Sequence, residues 1–226
     1  MLAHSCSGIS PRNNLTLPYS SPLPSSSLFY FIMPKSPIRL AVFASGEGTN
    51  LENIIRYFRH HPRIEVALAV SNRSQARALQ RAAGLGVTCA VIPRDELAEN
   101  PQSVMERLAH IDYIILAGFL LRIPDYLTTA FPQRIINIHP SLLPKYGGKG
   151  MYGHHVHEAV CKAGETETGI TIHYVDAGID SGEAIAQFRV ALRPGEETPE
   201  SIAEKIHRLE QEHFPPVIER LLCAED

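Results

Sequence analysis

From Ile38 onward, apolar and polar positions fall into two kinds of block. IRLAVFAS (38–45), IEVALAVSN (64–72), TCAVIP (88–93), YIILAGF (113–119) and RIINIHP (134–140) are short, nearly continuous apolar runs. Such runs are the pattern of parallel strands buried on both faces. Between the first two, TNLENIIRYFRH (49–60) places Leu51, Ile54, Ile55 and Phe58 at helical spacing. SQARALQRAAGLG predicts a helix closed by Gly84 or Gly86, and ELAENPQSVMERLAHI another. The stretch 141–153, full of Gly, Pro and Lys, predicts a loop, and HHVHEAVCKAG a short helix after it. TGITIHYVD (168–176) and EAIAQFRVAL (183–192) alternate as an antiparallel pair around a turn at 178–182. TPESIAEKIHRLEQEHFPPVIERLL predicts a closing amphipathic helix, kinked by Pro215 and Pro216.

Alternating strands and helices followed by a β-rich end indicate an α/β fold with a mostly parallel sheet. In such sheets ligands bind beyond the carboxyl ends of the strands, where strand order reverses. Residues just after strands are therefore the place to look for chemistry.

The chain has 226 residues, enough for one domain with a large core. Its net charge of −3 carries no electrostatic footprint for nucleic acid or an anionic membrane. Cys6, Cys89, Cys161 and Cys223 lie far apart with no CxxC pair, which suggests neither a disulfide framework nor a zinc site and points to the cytoplasm. No heptad pattern declares a dimer, and a homodimer stays open. The Ser- and Pro-rich head, residues 1–36, reads as a disordered or non-native extension, with Met33 just before the first strand. Residues 37–226 form the expected domain.

Two segments carry candidate chemistry. The first strand ends in Ser45-Gly46-Glu47-Gly48-Thr49-Asn50, and a helix follows. Small residues let an anion approach the backbone, and a helix start offers free N–H groups and a favourable dipole. The loop lacks the third glycine of a dinucleotide site, and Ser71-Asn72-Arg73 after the second strand offers no acid for a ribose diol. A phosphate monoester fits better, and a plain Gly-rich turn capped by Thr49 is the alternative. In IINIHPSLLPKYGG, Asn137 and His139 are two apart at a strand end and face the same way. Asn can donate to a developing oxyanion, and His can do so or carry a proton near neutral pH. Asp180, in the turn VDAGIDSGE, is placed to reach His139 or to hold a water that relays protons. Each of the three also has a purely structural reading. The absence of a Ser or Cys nucleophile nearby suggests direct attack by the acceptor.

Taken together, SGEGTNL, LAGF, NIHPSLLPKY and HYVDAGIDSG resemble, in order and spacing, the phosphoribosylglycinamide formyltransferase family from about Ile38 to the end. The resemblance implies a Rossmann-like formyltransferase fold, with flanking helices and an antiparallel C-terminal part. It implies 10-formyltetrahydrofolate as donor co-substrate, glycinamide ribonucleotide as acceptor, and no metal. Asn137, His139 and Asp180 match the family's catalytic trio. Gly48, Thr49 and Asn50 match its phosphate site, and Glu212 in QEHFPP its ribose-binding acid. The folate is expected beside Leu116, Phe119, Leu120, Arg122, Ile123 and Asn137, and along the turn from Val175 to Asp180. Methionyl-tRNA formyltransferases differ after SLLP, formyltetrahydrofolate hydrolases differ around the phosphate loop, and sugar-nucleotide formyltransferases lack SGEGTNL. KYGGKGMYGHHVH (145–157) is longer and richer in glycine than in commoner members. It reads as a mobile lid that brings Lys149, His154, His155 or His157 toward the phosphate or the donor tail.

Overall fold

The structure, a computed structural model, describes residues 36–224. The head expected over 1–36 thus lies almost wholly outside the described residues, as does Cys6. Among the described residues, seven strands form one sheet: β1 (Ile38–Phe43), β2 (Ile64–Ser71), β3 (Thr88–Val91), β4 (Tyr113–Leu116), β5 (Ile135–His139), β6 (Glu167–Tyr174) and β7 (Ala184–Ala191). Their order is β3-β2-β1-β4-β5-β6-β7. The first five strands pair in parallel, and β6 and β7 add on antiparallel. This is the α/β sheet the apolar runs predict, with its antiparallel C-terminal part.

Helices cover both faces: α1 (Thr49–Phe58), α2 (Arg77–Gly84), α3 (Arg94–Glu99), α4 (Pro101–Arg107), α5 (Asp125–Ala130), α6 (His154–Ala163) and α7 (Pro199–Cys223). Alternate residues of a strand serve opposite faces. Leu40 and Val42 of β1 pack with Leu51, Ile54 and Phe214 of α1 and α7. Ala41 and Phe43 pack with Leu97, Val104 and Leu127 of α3, α4 and α5. All four β1 residues are fully buried, which explains why the strand is apolar without a break.

Three helical details differ from the sequence pattern. The single helix expected over 96–111 is two, because Asn100 precedes Pro101 and takes an extended conformation (φ −125°, ψ 69°). Its side-chain oxygen then caps α4 by accepting from Ser103 N at 3.2 Å. The short α5, which follows Pro124, has too few apolar positions to show a helical period. The last helix starts at a Thr198–Ser201 capping box and continues through Pro215 and Pro216 to Cys223. Pro215 has no N–H for the carbonyl of Gln211, and Asn53 of α1 supplies one instead, with Nδ2 2.8 Å from that oxygen.

Among the described residues, no helix is long and apolar enough to cross a membrane.

Candidate active site

The chain leaves β1 toward β2 and β3 on one side and returns to β4 on the other, so the order reverses between β1 and β4. A cleft of about 590 Å³ opens there, beyond the carboxyl ends of β1, β4 and β5. That volume is within the usual range for small-molecule sites.

One wall is the loop after β1. Gly48 has φ 73° and occupies the cap position of α1, with no side chain capping the first turn. Thr49 is thus the first helical residue and not the cap. The first-turn N–H groups keep their capacity for an anion. A side chain at Gly48 would place its Cβ 2.4 Å from Ala78 Cα, so α2 presses directly on the loop. Arg81 of α2 braces it further by donating to the Glu47 carbonyl at 2.9 Å. Asn50 is tied to α7, donating to Glu210 Oε2 at 2.8 Å and accepting from Gln211 Nε2 at 2.7 Å.

The second wall is the segment after β4. The hydroxyl of Ser45 donates to Asn72 at 2.6 Å and accepts from Leu120 N at 2.9 Å, joining the ends of β1, β2 and β4. Leu116 and Ile123 are buried, and Phe119 meets Phe43 edge-on at 5.2 Å. Leu120 and Ile179 stand out at the rim, 45% and 47% exposed, an apolar mouth for a flat ring system. Arg122 spans this wall and the turn after β6, donating to Asp125 at 2.7 Å and to the Ala177 carbonyl at 3.0 Å.

The floor is the end of β5. His139 is only 4% exposed, with Nε2 2.8 Å from the Tyr146 carbonyl and Nδ1 3.5 Å from Asp180 Oδ2. Both ring nitrogens therefore face oxygen acceptors, the Tyr146 carbonyl on one side and the Asp180 carboxylate on the other. Asp180 adopts φ 53° and also accepts from Gly148 N at 2.9 Å. Asn137 reaches Nε2 of His173 at 3.0 Å. Nδ1 of His173 lies 2.8 Å from the Tyr174 carbonyl and so carries its hydrogen. Burial pushes the His173 pKa down, which keeps the ring neutral and leaves Nε2 as an acceptor for the Asn137 amide.

Asn137, His139, Asp180, Gly48, Thr49, Asn50, Leu116, Phe119, Leu120, Arg122, Ile123 and Val175 all line this one cleft. Glu212 does not. Its side chain is 71% exposed beside His213, whereas Glu210, just over half a helical turn earlier, lines the cleft with Ala203, Ile206 and His207. The spacing 203, 206, 207, 210 is one helix face, and position 212 falls off it. Of the loop candidates, Lys149 and His157 line the cleft. His154 and His155 instead pair with Glu158 on the outside. His157 is 7% exposed, its Nδ1 has no hydrogen-bond partner among the described residues, and burial lowers its pKa. His207 has its pKa raised by the nearby Glu210 carboxylate. Among the described residues, no cluster of three or more His, Cys, Asp or Glu is arranged to hold a metal ion.

Several known proteins are similar to this chain. A family model described as formyl transferase matches residues 38–218. The phosphoribosylglycinamide formyltransferase of Bacillus subtilis (strain 168) is 38% identical over 190 residues, covering 81% of this chain and 94% of that protein. The trifunctional purine biosynthetic protein adenosine-3 of Drosophila pseudoobscura pseudoobscura is 36% identical over 185 residues, and the match covers 78% of this chain but 13% of that protein. The solved glycinamide ribonucleotide transformylase 1 from Geobacillus kaustophilus superposes with a TM-score of 0.74 at 39% identity, covering 81% of this chain and 98% of that one. The chain belongs to the formyl transferase family and, within it, to the phosphoribosylglycinamide formyltransferases.

Proposed function

We propose that this formyltransferase moves the formyl group of 10-formyltetrahydrofolate to the amine of glycinamide ribonucleotide in purine biosynthesis, through Asn137, His139 and Asp180. The observation that carries the reading is the convergence of these three side chains on the floor of a cleft with a phosphate-competent helix start on one side and an apolar wall on the other. The domain is residues 37–226, and the setting proposed is cytoplasmic, with two small-molecule partners and neither nucleic acid nor a membrane.

The ribotide phosphate rests on Gly48, Thr49 and Asn50. Glu210 takes the place expected of Glu212 and accepts from the ribose hydroxyls. The donor's ring system lies against Leu116, Phe119, Leu120, Ile123 and Val175, and the donor supplies the electrophilic carbon. As the ribotide amine adds to that carbon, negative charge grows on the formyl oxygen. The Asn137 N–H not engaged by His173 and the positive charge on His139 stabilise it; losing one such donor costs roughly 10²–10³ in turnover. Asp180 holds the charge on His139 and, through water, takes the proton from the attacking nitrogen and returns it to the departing folate nitrogen. No covalent enzyme intermediate is needed: Ser181, which lines the cleft, donates its hydroxyl to Asp176 at 2.8 Å, and the His139 ring nitrogens face the Tyr146 carbonyl and Asp180 instead of a hydroxyl or thiol.

The test follows formyl transfer by absorbance with and without the ribotide. Product that requires the ribotide and disappears in His139→Ala supports the proposal. Release of formate without the ribotide identifies a hydrolase, and ribotide binding with no turnover identifies a binding protein.

A further inference from the structure

The contact that fixes the His139 ring comes from a backbone carbonyl, and that carbonyl belongs to a strained residue. Tyr146 has φ 56°, the left-handed region, which an aromatic residue keeps only when its surroundings impose it. Two anchors do so. On the backbone side, the buried Ser141 hydroxyl donates to the Lys145 carbonyl at 2.6 Å, and Leu143 N donates to Thr171 of β6 at 3.0 Å. On the side-chain side, the Tyr146 hydroxyl donates to Glu165 Oε1 at 2.8 Å, and Lys145 Nζ lies 3.0 Å from the same oxygen. Burial and the Glu165 carboxylate push the Tyr146 phenol up to about 12, so it stays a donor at any working pH.

We propose that Glu165 is a positioning residue for His139: it holds the Tyr146 ring, and thereby the Tyr146 carbonyl, so that the His139 hydrogen is kept on Nε2 and the exchangeable proton is confined to Nδ1, facing Asp180. Glu165 lies between α6 and β6, outside the residues that line the cleft, so it touches no substrate. Without it, the Tyr146 backbone relaxes toward ordinary φ values, its carbonyl withdraws, and the imidazole is free to exchange its two hydrogen positions. The proposal rests on the reading of His139 as the catalytic imidazole, but the state of its ring can be measured without turnover.

The experiment uses the full chain with ¹⁵N-labelled histidine and the variants Glu165→Ala, Glu165→Gln and Tyr146→Phe; His139→Asn assigns the His139 signal. Recorded at a pH where the ring is neutral, the parent and Glu165→Gln, whose amide oxygen still accepts from the tyrosine, are expected to show the hydrogen on Nε2. Glu165→Ala and Tyr146→Phe are expected to show a mixture of the two ring forms. In steady-state formyl transfer the last two should lose about 10- to 100-fold in kcat with both KM values nearly unchanged, and Glu165→Gln should recover most of it. A parent-like His139 signal in Glu165→Ala and Tyr146→Phe overturns the proposal, whatever happens to kcat. Absence of formyl transfer in the parent would refute the reading of function, and the ring signal would still decide the role of Glu165.

Discussion

The side-chain amide of Asn137 donates to Nε2 of His173, 3.0 Å away on the neighbouring antiparallel strand. That bond sets which end of the amide is N–H, because the other nitrogen of His173 is committed to the Tyr174 carbonyl. One amide hydrogen is used, and in the proposed mechanism the second serves the oxyanion. His173→Leu removes the acceptor and lets the amide turn its oxygen toward developing negative charge. We expect kcat to fall about 100-fold with both KM values changed little. Steady-state kinetics checks this, and an unchanged kcat would mean that Asn137 needs no such support.

The role of His173 also shows where the sequence stops being legible. The strand and helix alternation, the Gly-rich loop that opens α1 and the Asn137–His139 pair at the end of β5 could all be read directly, since each depends on residues close together in the chain. His173 sits in ITIHY, where it looks like any polar residue of an alternating strand. It gains meaning from the register that sets it opposite Asn137 across the β5–β6 pair, and a pairing register between strands some thirty residues apart is not written in either strand alone. The placement of Glu212 outside the cleft has a similar origin. Glu210 and Glu212 belong to one charged stretch, and the choice between them depends on which face of α7 turns to the cleft, fixed by the packing of Ile202, Ile206 and Phe214 into the core. Lys149 and His157 were marked by their loop, but only the fold separates them from His154 and His155.

Glu210 and Glu212 can be separated by experiment. Glu210→Gln should raise the KM for the ribotide about tenfold or more, since a carboxylate hydrogen bond is worth roughly 1.5–3 kcal/mol. Glu212→Gln, on the exposed face, should change it less than twofold. The reverse pattern would restore the acid expected from the sequence.

Gly48 combines two constraints, a left-handed φ of 73° and the closeness of Ala78. Gly48→Ala has to strain the backbone and push α2 away, which displaces the N–H groups of the first turn of α1. The expected outcome is a ribotide KM raised tenfold or more together with a lower melting temperature. Gly46→Ala, with nothing within 4 Å of the new methyl group, serves as the control and should be milder in melting temperature.

Asn53 donates to the carbonyl of Gln211 that Pro215 leaves without its helical partner. Asn53→Ala orphans that oxygen and should cost about 1–3 kcal/mol in urea unfolding. Pro215→Ala restores a helical N–H to the same oxygen, so in that background the loss on Asn53→Ala should shrink by at least about 1 kcal/mol. A double-mutant cycle measures the coupling, and strict additivity would show that the two groups do not share the carbonyl.

His157 makes the stability of the fold sensitive to acid. Its folded pKa, like that of His173, is lowered below the ordinary value of 6.5 by burial. Below that value the unfolded chain binds protons that the native state refuses. The stability these groups lend is therefore complete above about pH 6.5 and is lost as pH falls through their folded pKa values, at up to about 1.4 kcal/mol per pH unit for each. His207 has the opposite sign, because Glu210 raises its pKa. Its side chain is 46% exposed, however, so screening keeps its contribution small beside two buried rings. Net stability should fall between pH 7.5 and pH 5.5. His157→Leu removes one of the two acid-sensitive groups and also the buried Nδ1 that has no hydrogen-bond partner among the described residues. At pH 7.5 the variant should match the parent or exceed it by up to roughly 1 kcal/mol, and its loss on going to pH 5.5 should be smaller. Urea unfolding at the two pH values decides between this account and one in which His157 holds the fold together, for which the variant would be weaker at both.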